Sequence, residues 1–398
     1  MKQRKGLCLL LAAVMIFALC SCGGEQQEQG QGENSSSSQT TQEPQSGSDE
    51  GSSKTEQETL ADNSAQSSTS EVEAEPNYVP EYTTVDYDTP FLYAPESETI
   101  TALEQPCTQQ GTVVTLDYEC PAYAVNEILG VDQTISKSVT VYLPYGYDES
   151  QQYDVLYLLH GTGGDNTYWL QGKKTGEPTC NVLDNMIQQG LCKPTIVVTP
   201  NFYSAVKGSE YKLSDETVVA YGQQINDSYL LCANDAWTQF FKYELRNDIM
   251  PLVESTYSTY AGGDTSEEGL TASRTHRAIA GLSRGAMTVA RAGLMGNLDY
   301  FAYFGSFSGV WAEFDQFADD LDSSDYVGYP VLYWYNGNGT EDFSAENHID
   351  FWNQVKEQMG SRFVDGENLC MVVKDGASHS YENWITDLYN AMLVFFTK

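Results

Sequence analysis

The pentapeptide Gly281-Leu282-Ser283-Arg284-Gly285 sets a hydroxyl between two glycines, where an apolar run meets a helix-like segment. Arg277 to Leu282 reads as a buried strand and Gly285 to Met295 as a helix, so the serine falls on a strand-to-helix turn. Such a turn holds its residue in a strained backbone and lifts the side chain clear of the sheet. The flanking glycines let strand and helix approach closely. A hydroxyl so placed becomes a nucleophile once a neighbouring base takes its proton. Ser283 is therefore the candidate nucleophile.

The base can be sought by elimination, because the chain has only four histidines. His160 lies in the loop after an apolar run, and His276 precedes the strand that carries the serine, at its far end. His348 sits in a polar segment with no strand directly before it. His379 lies in Gly376-Ala377-Ser378-His379-Ser380, just after the strand-like run Leu369 to Lys374. That strand-then-loop position selects His379 as the base. The acid that orients it should follow a strand between the two. Pro330 to Tyr335 reads as that strand and leads into Asn336-Gly337-Asn338-Gly339-Thr340-Glu341-Asp342. Asp342 is the candidate, with Glu341 as its rival. The oxyanion of an acyl-transfer intermediate needs backbone donors. One is the amide of Arg284; the other comes from His160-Gly161-Thr162-Gly163-Gly164, through Thr162 or Gly163, with Thr162 preferred. This glycine run lacks the Lys-Ser/Thr ending of a phosphate-binding loop.

The elements that must carry these residues alternate. Gly111 to Asp117, Ser136 to Leu143, Asp154 to Leu159 and Pro194 to Pro200 read as strands before the serine, and Tyr300 to Ser308 as one after it. Helix-like periods run over Val182 to Gln189, Phe240 to Tyr257, Phe351 to Met359 and Asn383 to Phe396. Thr259 to Thr275 reads as a loop, and residues 202 to 235 show no clear period. The alternation predicts an α/β fold of the α/β-hydrolase type, a mostly parallel central sheet with helices on both faces. In that fold the order along the chain is serine, acid, histidine, as in Ser283, Asp342, His379.

Composition divides the chain. Residues 1 to 21 join a basic start to an apolar run from Leu7 to Leu19, as a secretory signal does. Leu19, Ser21 and Cys22 resemble a bacterial lipobox, which implies cleavage before Cys22, acylation of its thiol and a lipid-anchored protein at the bacterial cell surface. Residues 22 to 80 are mostly Gln, Glu, Ser, Thr and Gly. They hold too little apolar surface to offset the entropy of ordering and read as a tether. Residues 81 to 398 suffice for one large domain. The formal net charge of -36 excludes a basic nucleic-acid-binding surface. Six cysteines remain beyond Cys22, namely Cys107, Cys120, Cys180, Cys192, Cys232 and Cys370. None has metal-ligand spacing, so no metal site is expected. Both disulfides and free thiols stay open for them.

The series VTVYLPYGYD, YDVLYLLHGTGGDNTYW, KPTIVVTPNFY, HRAIAGLSRGAMT, NGTED and DGASHSYENW resembles the esterase-D-like esterases. Within them it is most similar to carbohydrate esterase family 1, the feruloyl and acetylxylan esterases. The resemblance implies a cofactor-free serine esterase with Ser283, Asp342 and His379 as triad and Thr162 and Arg284 at the oxyanion. Its implied substrate is a polysaccharide ester such as feruloylated or acetylated xylan. Relatives often have Met-Gly-Gly after the nucleophile, where this chain has Arg284-Gly285-Ala286, a cation that implies an altered substrate preference. They also often have a bulky aromatic after the histidine, where this chain has Ser380. Trp169, Tyr203, Trp311 and Tyr381 lie beside the motifs and are candidates to stack on a sugar or a phenolic acyl group. The competing expectations are a non-catalytic carbohydrate-binding protein on the same fold, an acyltransferase, and an esterase for small esters.

Overall fold

A computed structural model of the chain describes residues 97–205, 211–310 and 312–397. Cys22, the tether and Trp311 lie outside the described residues.

Eight strands form one sheet: β1 (Thr112–Pro121), β2 (Thr134–Leu143), β3 (Asp154–Leu159), β4 (Thr195–Thr199), β5 (Arg277–Leu282), β6 (Tyr303–Phe307), β7 (Tyr333–Gly339) and β8 (Leu369–Lys374). Their order is β1-β2-β4-β3-β5-β6-β7-β8. β1 pairs with β2, and β2 with β4, antiparallel; every later pair is parallel. This is the α/β-hydrolase fold. The apolar runs read as central strands are buried along their whole length in β3, β4 and β5, whereas β1 at the edge alternates exposed and covered positions. In β3, Val155, Tyr157 and Leu159 enter one apolar cluster and Leu156 and Leu158 the other. The first cluster packs against helix Ala233–Glu244 and its continuation, and the second against helices Gly176–Gln188 and Tyr381–Val394. Both faces of the sheet are therefore covered.

Several elements differ from the sequence reading, each for a local reason. Residues 202 to 235 contain a helix, Asp215–Ile225. Ser214 caps it by accepting from the Thr217 amide, and Asn226 ends it at φ 61°. The helix expected over Phe240 to Tyr257 begins at Ala233 and passes through a π turn, Leu245–Ile249, just before Pro251, which has no N–H to donate. The helix after Ser283 also widens into a π turn, Val289–Leu294. The loop read over Thr259 to Thr275 holds a short helix, Glu267–Ala272, capped by Ser266.

The largest change is in β7. Asn336-Gly337-Asn338-Gly339 continue the strand instead of leaving it. Asn336 donates to the Cys370 carbonyl at 3.2 Å, and Asn338 donates to Ser344 Oγ at 3.2 Å. These buried bonds outweigh the poor strand preference of Asn. Gly337 packs against Asp387, where any Cβ would overlap the carboxyl. Cys107, Cys120, Cys180, Cys192 and Cys370 are free thiols.

Candidate active site

Ser283 follows the last residue of β5 with φ 52° and ψ -117°, a backbone conformation that residues other than glycine rarely adopt. Its amide donates to the Phe307 carbonyl at 2.8 Å, and its carbonyl accepts from the Met287 amide at 3.2 Å, which locks the turn from both sides. The glycines on either side make that turn possible. A Cβ on Gly281 would lie 2.8 Å from the Gly285 carbonyl carbon and 2.8 Å from Leu159 Cβ, and one on Gly285 would overlap the His160 carbonyl oxygen.

His379 stands in the loop between β8 and helix Tyr381–Val394. Its Nδ1 lies 3.0 and 2.9 Å from the two Asp342 oxygens, so Nδ1 carries the hydrogen and Nε2 is left as the basic nitrogen. Asp342 is three residues beyond β7 and its side chain is wholly buried. Burial pushes its carboxyl up. Hydrogen bonds from His379, the Ser344 amide and the Ser308 hydroxyl outweigh burial and hold it below the ordinary carboxylate value. Glu341, the rival acid, is exposed. The other three histidines are accounted for elsewhere. His160 is buried and stacks on Phe202 with 4.2 Å between ring centres. His276 binds Asp154 at 2.7 Å at the start of β3, the opposite end of the sheet. His348 is fully buried, its Nδ1 accepting from the Gly309 amide and its Nε2 donating to Asn336 Oδ1.

Thr162, Ser283, Arg284, Met287, Ser308, Phe343, Ser344 and His379 line one small cleft, with Asp342 behind it. Gly161 to Gly164 form a tight turn closed by the Gly164 amide on the Gly161 carbonyl at 3.1 Å, with Gly163 at φ 77°. A Cβ on Gly161 would come within 3.3 Å of Ser283 Cβ, so the turn lies directly against the serine. The Gly163 amide donates to Tyr203 Oη at 3.2 Å, which leaves Thr162 as the donor of choice on this loop. Arg284 is the first residue of its helix, where the amide has no intrahelical acceptor.

The aromatic residues fall out differently. Trp169 is completely buried and its indole N–H donates to the Leu159 carbonyl at 3.0 Å. It is a core residue under the sheet, not a surface on which substrate can stack. Tyr381 is turned to Thr179, with 3.1 Å between the hydroxyls, and does not line the cleft. Tyr203 holds the Gly161–Gly164 turn. The Arg284 guanidinium, expected to bring a cation toward substrate, is 3% exposed and bound to Asp235 at 2.7 Å. Residues not anticipated from sequence complete the site. Ser308, at φ 57°, accepts from the Trp384 indole at 2.8 Å. Trp384 meets the His379 ring edge-on at 5.0 Å, and Phe343 lies over it at 4.3 Å. Phe343 and Ser344 follow Asp342 directly, so adjacency to the acid is the one signal that marks them.

A model of the Esterase family, described as “Putative esterase”, matches residues 135–395. The chain belongs to this esterase family. Among curated proteins it is 35% identical over 205 residues to endo-1,4-beta-xylanase Y of Acetivibrio thermocellus, covering 51% of this chain and 15% of that one. It is 29% identical over 178 residues to an endo-1,4-beta-xylanase/feruloyl esterase of Xylanibacter ruminicola, covering 44% of this chain and 19% of the relative. The match thus spans less than a fifth of either relative's length. Among solved structures, a serine-to-alanine mutant of the feruloyl esterase module from Clostridium thermocellum, complexed with sinapinate, superposes with a TM-score of 0.58 at 28% identity. That comparison covers 74% of this chain and 91% of the module. A ferulic acid esterase from Anaeromyces mucronatus shares the fold, with a TM-score of 0.52 at 20% identity over 74% of this chain and 93% of that one.

Proposed function

We propose that the chain hydrolyses carboxylic esters with Ser283 as nucleophile, His379 as base, Asp342 as its orienting acid, and the amides of Thr162 and Arg284 as oxyanion donors. The observation that carries this reading is the doubly contacted His379 Nδ1 on buried Asp342, in a cleft shared with a serine at φ 52°. Asp342 fixes the tautomer that leaves Nε2 free to take the Ser283 proton. Attack on the ester carbonyl gives a tetrahedral oxyanion held by the two amides. His379 then protonates the leaving alcohol oxygen, and water, activated by the same imidazole, releases the acid from Ser283.

We further read the ester as a feruloyl or acetyl group on a xylan-type polysaccharide. The likeness to the Clostridium module with bound sinapinate and to a xylanase/feruloyl esterase supports this. The basic and apolar start with Leu19, Ser21 and Cys22 supports export and a lipid anchor on Cys22 at the cell surface.

The full chain should cleave p-nitrophenyl acetate, methyl ferulate or acetylated xylan, and Ser283→Ala should lower kcat by roughly four to six orders of magnitude. Activity that survives Ser283→Ala would overturn the mechanism. A wild-type chain inactive on all three but binding xylan would favour a carbohydrate-binding protein on this fold.

A further inference from the structure

Phe343 is the residue of the cleft whose presence the acyl-transfer chemistry leaves unexplained. It follows Asp342 in sequence, lines the cleft with Ser283 and His379, and is 51% exposed. An isolated exposed aromatic needs no explanation on a protein surface. This one is not isolated, because its ring lies 4.3 Å from the His379 ring, centre to centre, at a tilt of 40°. The imidazole is already held without it. Asp342 fixes Nδ1, and the buried Trp384 covers the ring edge while bonding to Ser308. The exposed half of Phe343 is thus surplus to positioning the base and open at the mouth of the cleft.

The chemistry says which part of an ester meets that ring. As the C–O bond of the tetrahedral intermediate breaks, His379 Nε2 gives its proton to the departing oxygen, and both bonding electrons stay on that oxygen. The group beside the imidazole is therefore the alcohol, not the acyl chain. We infer that Phe343 is a specificity residue that carries the sugar ring of the leaving alcohol, the C–H face of a pentose lying on its exposed aromatic face. This rests on the triad reading above. It stands in place of two of the sites first expected for stacking, since Trp169 is sealed in the core and Tyr381 is turned away.

Two esters with the same acyl group isolate the alcohol: methyl ferulate and a feruloylated arabinoxylo-oligosaccharide. Full-length Phe343→Leu keeps apolar cover on His379 but removes the flat face. It should lower the ratio of kcat/KM on the sugar ester to that on methyl ferulate about tenfold, and Phe343→Trp should restore that ratio. An equal fall on both esters would make Phe343 a support for His379 and overturn the inference, as would no change on either. A fall on methyl ferulate alone would put the ring on the acyl side and overturn it too. A wild-type chain that cleaves neither ester nor p-nitrophenyl acetate would remove the triad reading itself, and this inference with it.

Discussion

Asp342 is the residue that holds the His379 ring, through both of its carboxylate oxygens. Its carboxylate accepts from His379, and from the Ser344 amide and hydroxyl at 2.8 Å each. Asp342→Asn keeps the shape but offers His379 Nδ1 an amide in place of a charge. We expect kcat to fall about 10⁴-fold. The carboxyl is held below its ordinary value in the folded state, so its contribution to stability is present above that ordinary value. It is lost as the pH falls through the lower folded value. The unfolding free-energy difference between wild type and Asp342→Asn should therefore shrink from pH 7 to pH 3. His348 gives a second acid sensitivity of the same sign but a different cause. Burial lowers its pKa to about 3, and its Nδ1 already accepts from the Gly309 amide. The unfolded chain takes up a proton below the ordinary histidine value that the folded chain refuses. His348 should cost stability as the pH drops from about 6 to 4, at roughly 1 kcal/mol per pH unit. Denaturant titrations of His348→Gln should lose that part of the slope. The candidate triad was legible because glycine spacing and strand-then-loop positions are local signals. Phe343 was not, because nothing periodic marks an exposed aromatic whose significance comes from a neighbour 36 positions away, His379.

At the scale of elements, the turn around Ser283 is braced from two directions. The first is close packing with β3. Gly285→Ala would press a methyl into the His160 carbonyl, and we expect a loss of about 1–3 kcal/mol in stability, with activity falling alongside. Thermal unfolding followed with an activity assay checks both. The second brace is the buried Arg284–Asp235 pair, whose acid also accepts from the Leu231 and Cys232 amides at 3.1 Å. It ties the residue after the serine to the start of helix Ala233–Glu244. Arg284→Met leaves Asp235 buried and unpaired, and should cost about 3–5 kcal/mol in chemical denaturation. Adding Asp235→Asn should return part of that loss, because the orphaned charge is gone. This arrangement also explains why a cation beside Ser283 does not read out as charge in the cleft. Strand β7 shows where local rules failed: Asn and Gly signal a loop, but buried bonds to Cys370 and Ser344 draw them into the sheet. The helix Asp215–Ile225 was missed although its cap at Ser214 and its left-handed end at Asn226 are both written in residue types.

At the scale of the molecule, the parallel strands from β3 to β8 bring the serine, acid and histidine to one end of the sheet, although 96 residues separate the first from the last. The same topology sends His276 to the other end, where it meets Asp154. The alternation of strands and helices was enough to anticipate this architecture, because a strand buried on both faces leaves a continuous apolar run. Which side chains fill the cleft mouth is set by loops, and there the sequence pattern is silent. We propose that His379 activates Ser283 as the nucleophile. A fluorophosphonate that phosphonylates activated serines, followed by peptide mass spectrometry, tests it most directly. One adduct is expected, on the peptide bearing Ser283, with labelling reduced by several orders of magnitude in His379→Gln. Labelling of a different residue, or Ser283 labelling undiminished in His379→Gln, would contradict it.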